Sequence, residues 1–135
     1  MNAAWFEEYG WSVENHGVAP DLKAYPQATP KDALASVLKA AADNRFDYLT
    51  AQLADPAFVD DRVKQVYGGR FDEQVEETKG RFGPEAVKLL GKLLKDGEWA
   101  TDKDGASVRL KDVKDRAAFF KRVGERWYLE NRAKP

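Results

Sequence analysis

The sequence contains no cysteine and a single histidine, His16. Without cysteine, disulfides, thiolate metal sites and cysteine nucleophiles are excluded. A metal site built on His16 would need carboxylates around it. Its place beside Gly17, in an irregular stretch, is more typical of an exposed loop histidine. The sequence therefore predicts no metal ion and no cofactor.

A basic excess and a long apolar run are also missing. The chain has 22 Lys and Arg against 23 Asp and Glu, a formal net charge of −1, and the two signs are interleaved as on a solvated surface. Nucleic-acid binding usually needs a basic face. Spanning a bilayer takes about 20 apolar residues, and the start at Met1 has no signal-peptide pattern. We therefore expect no nucleic-acid partner and no membrane span. The expected location is cytoplasmic for the chain as given, and periplasmic or secreted if a leader was removed.

The composition of the 135 residues, with 43% hydrophobic and 12% aromatic side chains, indicates one soluble domain with a real core. Residues 1–29 have no lasting period and read as an irregular lead that packs its aromatic side chains on the domain or on a partner. These aromatic residues are Trp5, Phe6, Tyr9, Trp11 and Tyr25. Residues 30–135 are predicted to form a single α+β domain.

Cap and proline signals predict where the helices begin. Thr29-Pro30-Lys31-Asp32 combines an N-cap threonine, a proline at the first helical position and an acid in the first turn. Asp55-Pro56 is a second start of this kind, and Pro84 begins the clearest helix. Gly97 stands where a left-handed C-terminal residue is expected.

Apolar spacing and glycines supply the remaining helix boundaries. We expect the first helix to end at Asp43-Asn44 and the Pro56 helix to stop at Gly68-Gly69. A short helix is predicted over Phe46, Leu49 and Leu53, and another over residues 71–78, with a break around Gly80 and Gly83.

After Gly97 the apolar period changes from 3.6 to 2, which predicts short strands. The expected strands are 98–101, 106–111, 117–123 and 126–130, with turns at Lys103-Asp104-Gly105 and Gly124-Glu125. Closely spaced strands pair as a meander. The fold class predicted is α+β, with N-terminal helices packed on a C-terminal antiparallel meander of three to four strands.

The aromatic residues of the last strands are the main candidates for a binding surface. Phe119-Phe120 and Trp127-Tyr128 are adjacent pairs, and neighbours on a strand face opposite ways. One member of each pair should enter the core. The other can line a sheet face with Trp99 that holds an apolar ligand or a partner. Core packing is the competing interpretation.

Other chemistry-bearing patterns point to charged surfaces rather than to catalysis. Asp60-Asp61 and Glu76-Glu77 are adjacent acids, and helix neighbours lie about 100° apart, so they do not share a proton. The chain has no phosphate loop and no Gly-x-Ser-x-Gly elbow.

Residues 31–131 resemble small bacterial domains of the nuclear-transport-factor-like (SnoaL-like) superfamily. The resemblance rests on the order of elements, the run Phe46-Asp47-Tyr48-Leu49 and the Gly-x-x-Trp-x-Leu ending from Gly124 to Leu129. It implies an α+β cone, in a family of isomerases, dehydratases and non-catalytic binding or assembly domains. Catalytic members use an Asp or His with a Tyr inside the cone, which makes Asp47 and Tyr48 the nearest counterparts. The helical character of residues 55–96 departs from that superfamily.

Residues 10–21, Gly-Trp-Ser-Val-Glu-Asn-His-Gly-Val-Ala-Pro-Asp, resemble a segment near the end of the catalytic domain of tricorn-type and tail-specific serine peptidases. The resemblance implies that Glu14 is the counterpart of an acid that supports the active site. The nucleophilic serine would lie upstream, so these residues alone cannot cleave a substrate.

Three functions follow from these observations. The first is a non-catalytic domain that binds a protein partner, a second copy of itself or a small apolar ligand through Trp99, Phe120, Trp127, Tyr128, Tyr48 and Asp47. The second is a cone-type acid–base enzyme that uses Asp47 and Tyr48. The third is a C-terminal appendage of a peptidase-like protein. No residue is assigned as catalytic, and the absence of catalytic motifs favours a non-enzymatic module.

Overall fold

A computed structural model describes residues 15–111 and 113–131, with the side chains of 16–111 and 116–131. Five helices, α1 to α5, are followed by four strands, β1 to β4. The candidates Trp5, Phe6, Tyr9, Trp11 and Glu14 lie outside the described residues.

Helix α1 (Pro30–Ala42) begins and ends where its caps predict. Thr29 Oγ1 accepts a hydrogen bond of 3.0 Å from the backbone N–H of Asp32, which satisfies one of the free donors of the first turn. The helix ends at Asp43, and Asn44 has a φ of 58°, a left-handed conformation that suits asparagine after a helix.

The backbone hydrogen-bonding pattern changes within the predicted short helix. Helix α2 begins as α-helix over Phe46–Tyr48 and continues as π-helix over Leu49–Leu53. All five residues of the π-helical part are buried. The hydroxyl of Thr50 donates to the Phe46 carbonyl oxygen at 2.7 Å. Directly after α2, Ala54 makes a parallel bridge with Leu129, so this chain segment lies along the edge of the sheet.

The next three helices are α3 (Pro56–Gln65), α4 (Phe71–Arg81) and α5 (Pro84–Asp96). Asp55 caps α3 by accepting from the N–H of Ala57 at 3.1 Å. Gly68 and Gly69 both have positive φ, so the predicted stop is confirmed. The predicted break around Gly80 and Gly83 lies at Phe82-Gly83, between α4 and α5, while Gly80 itself stays inside α4, which ends at Arg81. A single glycine costs a helix only about 1 kcal/mol.

The expectation of a left-handed Gly97 is wrong. Gly97 has φ −72° and ψ 155°, which is extended backbone that leads straight into β1. The need for glycine there is steric. A Cβ atom would lie 2.4 Å from the Leu93 carbonyl oxygen and 2.4 Å from Val108 Cγ2. The helix end therefore lies too close to the sheet for any side chain at this position.

The strands form a four-stranded antiparallel meander in the order β1-β2-β3-β4. Their bounds are Glu98–Thr101, Gly105–Leu110, Val113–Val123 and Arg126–Leu129. The third strand begins four residues earlier than predicted, after a register shift at Arg109/Leu110. A bulge lets a strand continue past a local break in pairing, and periodicity alone does not reveal it.

One face of the sheet, here the inner face, packs against α1 and α5. Leu34 of α1 and Leu93 of α5 are fully buried against Val108, Phe120 and Trp127. A second core cluster joins α1 and α2 to the lead, with Tyr25 stacked on Tyr48 at 4.4 Å between ring centroids. None of the described helices has the length and apolar character that crossing a bilayer requires.

Candidate functional site

The six residues predicted to line a binding surface do not share one surface. Trp99, Phe120 and Trp127 lie on the inner face, where Phe120 and Trp127 are buried against the helices and Trp99 is partly buried. Tyr128 pairs with Lys121 in the register, so it lies on the opposite, outer face. Both members of each adjacent pair are buried, including Phe119. Whether any of the six binds a ligand or a partner stays a prediction.

Asp47 and Tyr48, the counterparts of a cone-type acid–base pair, point to different partners. Asp47 forms an ion pair with Arg45 at 2.9 Å, with nearly half of its side chain exposed. The hydrogen bond from Arg45 holds the pKa of the Asp47 carboxyl below its usual value, which is unfavourable for a general base near neutral pH. Tyr48 is 1% exposed, and burial raises the pKa of its hydroxyl.

The hydroxyl of Tyr48 belongs to a different arrangement, in which the domain binds the backbone of residues 16–29. It accepts a hydrogen bond of 2.7 Å from the N–H of Asp21. Gln52 Nε2 donates to the Val18 carbonyl oxygen at 2.5 Å. The segment contains a short 3-10 helix (Asn15–Gly17) and a turn closed by the Tyr25 N–H and the Asp21 carbonyl oxygen, and the bonds from the domain satisfy backbone atoms that these local structures leave free.

Two further contacts hold the end of the segment, beside α1. The hydroxyl of Ser36 donates to the Pro26 carbonyl oxygen at 2.6 Å. The backbone N–H of Trp127 donates to the Gln27 carbonyl oxygen at 3.0 Å, and Gln27 Nε2 donates back to the Trp127 carbonyl oxygen at 2.7 Å. Gln27 therefore pairs with the edge of β4 through both its backbone and its side chain.

Arg126 connects this end of the segment to α2. Its Nη2 donates to Gln27 Oε1 at 2.6 Å and to Gln52 Oε1 at 2.8 Å. Gln27 and Gln52 are 2% and 1% exposed, so the guanidinium satisfies two acceptors that water hardly reaches. We call Ser36, Tyr48, Gln52, Arg126 and Trp127 the segment site.

His16 adds a contact at the other end of the segment. Its Nε2 lies 2.9 Å from Asp60 Oδ1, and its ring stacks on Phe71 with centroids 4.3 Å apart and an interplanar angle of 5°. Burial raises the pKa of the Asp60 carboxyl, and the hydrogen bond with His16 offsets part of that effect. His16 is exposed, as predicted, and it also connects the segment to α3 and α4 through these two contacts.

The sequence contained a signal for this site that periodicity could not interpret. Gln27, Ser36 and Gln52 are polar residues close to apolar ones in the sequence and are almost fully buried, and a buried polar side chain needs a partner. The partners are backbone atoms 10 to 100 residues away. Only the tertiary structure identifies them. Among the described residues no group of acidic or histidine side chains could hold a metal ion.

The outer face of the sheet carries a concavity. It is an open groove of about 650 Å³ whose lining includes Ser107, Arg109, Phe119 and Lys121. Lys121 is engaged in an ion pair with Asp55 at 3.0 Å, and the Arg109 guanidinium lies 5.7 Å from the Phe119 ring centroid.

Comparison with known proteins gives one short match. A stretch of 32 residues, 24% of this chain, is 69% identical to a tricorn protease homolog of Streptomyces coelicolor, of which it covers 3%. This agrees with the resemblance of residues 10–21 to tricorn-type peptidases. No family model matches the chain, and no solved structure matches it, so the resemblance to the SnoaL-like superfamily has no support. The chain is thus similar to a peptidase homolog over one short stretch.

Proposed function

We propose that this chain is a non-catalytic binding module in which the α+β domain holds a peptidase-like segment in a fixed position. The observation that carries the proposal is the set of anchors within residues 10–21. His16, Val18 and Asp21 bond to Asp60, Gln52 and Tyr48. The domain thus binds residues 16–21, the part of the peptidase-like segment whose side chains the structure describes.

Backbone recognition supports a binding role. Four of the bonds to the segment, at Val18, Asp21, Pro26 and Gln27, reach main-chain atoms. Bonds of this kind fix the path of a peptide, while side-chain pockets select its sequence. Tyr25, stacked on Tyr48, and Gln27 supply the sequence-selective part. A domain of this kind can serve as an appendage of a peptidase-like protein. Its own hydrophobic core would then hold the end of the peptidase-like region in place.

Hydrogen exchange on the full chain tests this proposal through one hydroxyl group. Tyr48→Phe removes the acceptor of the Asp21 N–H and leaves the ring in the core. We expect exchange at Asp21 to accelerate about tenfold, since a net hydrogen bond is worth about 1 kcal/mol or slightly more. Proteolytic cleavage within residues 16–29 should accelerate in parallel.

Tyr67→Phe is the matched control, because the Tyr67 hydroxyl donates to Glu77 at 2.6 Å, away from the segment. It should leave exchange at Asp21 unchanged. Rapid exchange at Asp21 in the unmodified chain, or equal effects of the two substitutions, would contradict the proposal.

A further inference from the structure

A second concavity lies between α3, α4, α5 and the end of β4, apart from the segment site. Its volume is about 200 Å³. Its walls are mostly apolar and include Leu49, Phe58, Val59, Phe82, Leu89 and Leu90. Arg81 and Asn131, which are exposed and hydrogen-bonded to each other, also line it. A mostly apolar cavity with a few polar groups is the usual form of a small-molecule site.

Gln74, one of the lining residues, has a side-chain oxygen that lacks a partner. Gln74 is 2% exposed, and its Oε1 has no hydrogen bond. Its Nε2 donates to Glu77 Oε2 at 3.3 Å. A carboxylate can only accept, so this contact identifies the nitrogen and leaves the oxygen on the other side of the amide. An unsatisfied buried acceptor is costly, and a ligand with a donor would satisfy it.

The surrounding groups keep the Gln74 amide in this orientation. Glu77 accepts hydrogen bonds from Arg62 and Tyr67 and forms an ion pair with Arg81 at 3.0 Å. The hydroxyl of Thr78 donates to the Gln74 carbonyl oxygen at 3.0 Å, so its proton is already used within α4. The acceptor is therefore held in place before any ligand arrives, which lowers the ordering cost of binding.

The volume of the cavity and the charges of its lining residues indicate which ligands it can hold. An apolar cavity of about 150 Å³ is large enough for benzene, so 200 Å³ suits one ring with one or two small substituents. Phe58 and Phe82 offer ring contacts. The charged residues of the lining are Asp55, Glu130 and Arg81, so acids outnumber bases and disfavour an anion. We propose that this cavity binds a neutral single-ring phenol whose hydroxyl donates to Gln74 Oε1.

The test compares p-cresol with toluene by calorimetric titration of the full chain. The two probes share a ring and a methyl group and differ in the hydroxyl. We expect p-cresol to bind about tenfold more tightly, the ratio that one hydrogen bond to a buried acceptor supplies. In Gln74→Met the ratio should fall to about twofold or less, because toluene keeps its apolar contacts while p-cresol loses its acceptor.

Two alanine-to-leucine substitutions, one inside the cavity and one outside it, show whether the probes bind in this cavity. Ala86 lines the cavity, so Ala86→Leu should abolish binding of both probes. Ala35→Leu, on the exposed face of α1, should leave both affinities unchanged. Circular dichroism and thermal midpoints establish that each variant is folded. Equal affinities of the two probes for the unmodified chain, no binding of either, or undiminished binding by a folded Ala86→Leu variant would each overturn the proposal.

Discussion

Arg126 of β4 is hydrogen-bonded to Gln27 of the segment and to Gln52 of α2. Its substitution therefore gives the sharpest test of how the segment is held. Its guanidinium donates to Gln27 Oε1 through Nε at 3.1 Å and through Nη2 at 2.6 Å. The same Nη2 donates to Gln52 Oε1 at 2.8 Å and to the Gln52 carbonyl oxygen at 3.1 Å. Arg126→Met keeps most of the aliphatic stem and deletes every one of these donors.

The expected loss follows from the two side-chain amide oxygens, of Gln27 and Gln52, that lose their donor. Gln27 and Gln52 are almost fully buried, and an unsatisfied buried acceptor costs about 1–3 kcal/mol. Two of them give about 2–6 kcal/mol, and water entering the space of the lost guanidinium lowers the cost of each. We therefore expect Arg126→Met to reduce the free energy of unfolding by about 2–4 kcal/mol.

Equilibrium unfolding in urea, followed by tryptophan fluorescence, measures this loss. The control is Arg122→Met, because Arg122 is exposed at the end of β3, and it should change stability by less than about 0.5 kcal/mol. Hydrogen exchange at Trp127, whose N–H bonds to Gln27, should accelerate only in the Arg126 variant. A loss below about 1 kcal/mol, or the same loss in both variants, would refute the argument that Arg126 satisfies buried acceptors.

Two further predictions concern the helix end and the acidic centre of α4. Gly97→Ala should destabilise the chain by about 1–3 kcal/mol, because its Cβ would overlap Leu93 and Val108. Gly91→Ala, whose Cβ would meet open space, should stabilise the chain by about 0.5–1 kcal/mol. Urea titrations in which both substitutions change the free energy of unfolding in the same direction would contradict this. Burial alone would raise the pKa of Glu77, but hydrogen bonds from Tyr67 and Arg62 outweigh it and hold that pKa below its usual 4.5. Its contribution to stability is thus present above that pH and lost below it. The destabilisation caused by Glu77→Gln should shrink between about pH 6 and pH 3, and a gap independent of pH would contradict the assignment.

The contacts of residues 16–29 give this part of the chain a structural role in the domain. Residues 16–29 contribute Tyr25 to the second core cluster, and Gln27 pairs with the edge of β4. The division of the chain at residue 30 stays a prediction, but the described end of the lead packs on the domain.

Much of the fold could be predicted from local chemistry. Thr29 with Pro30 and Asp55 with Pro56 begin helices through interactions within one turn. The alternation of Ala106 and Val108 with polar neighbours predicts a strand with one buried face. Where an outcome depended on a neighbour distant in sequence, prediction failed. Gly97 is extended rather than left-handed, and the steric need for glycine there comes in part from Val108 on a neighbouring strand.

The candidate binding residues show the same difference between what local sequence predicts and what distant contacts decide. Sequence identified Phe120, Trp127 and Tyr48 as notable aromatic residues but could not tell a core residue from a ligand contact, since both need a large apolar side chain. Missed altogether were Ser36 and Gln52 of the segment site and Gln74 of the cavity. Their importance comes from being buried beside particular backbone or side-chain atoms.

By itself, therefore, the sequence determined the elements of this protein: its caps, its change of apolar period and its α+β order. Each depends on residues within a few positions of one another. The tertiary structure decided which polar groups meet. Tyr48 bonds to Asp21, and Arg126 to Gln27 and Gln52. Hydrogen bonds between such distant residues require the chain to be folded first, because their directions and distances have no counterpart in the order of residues along the chain.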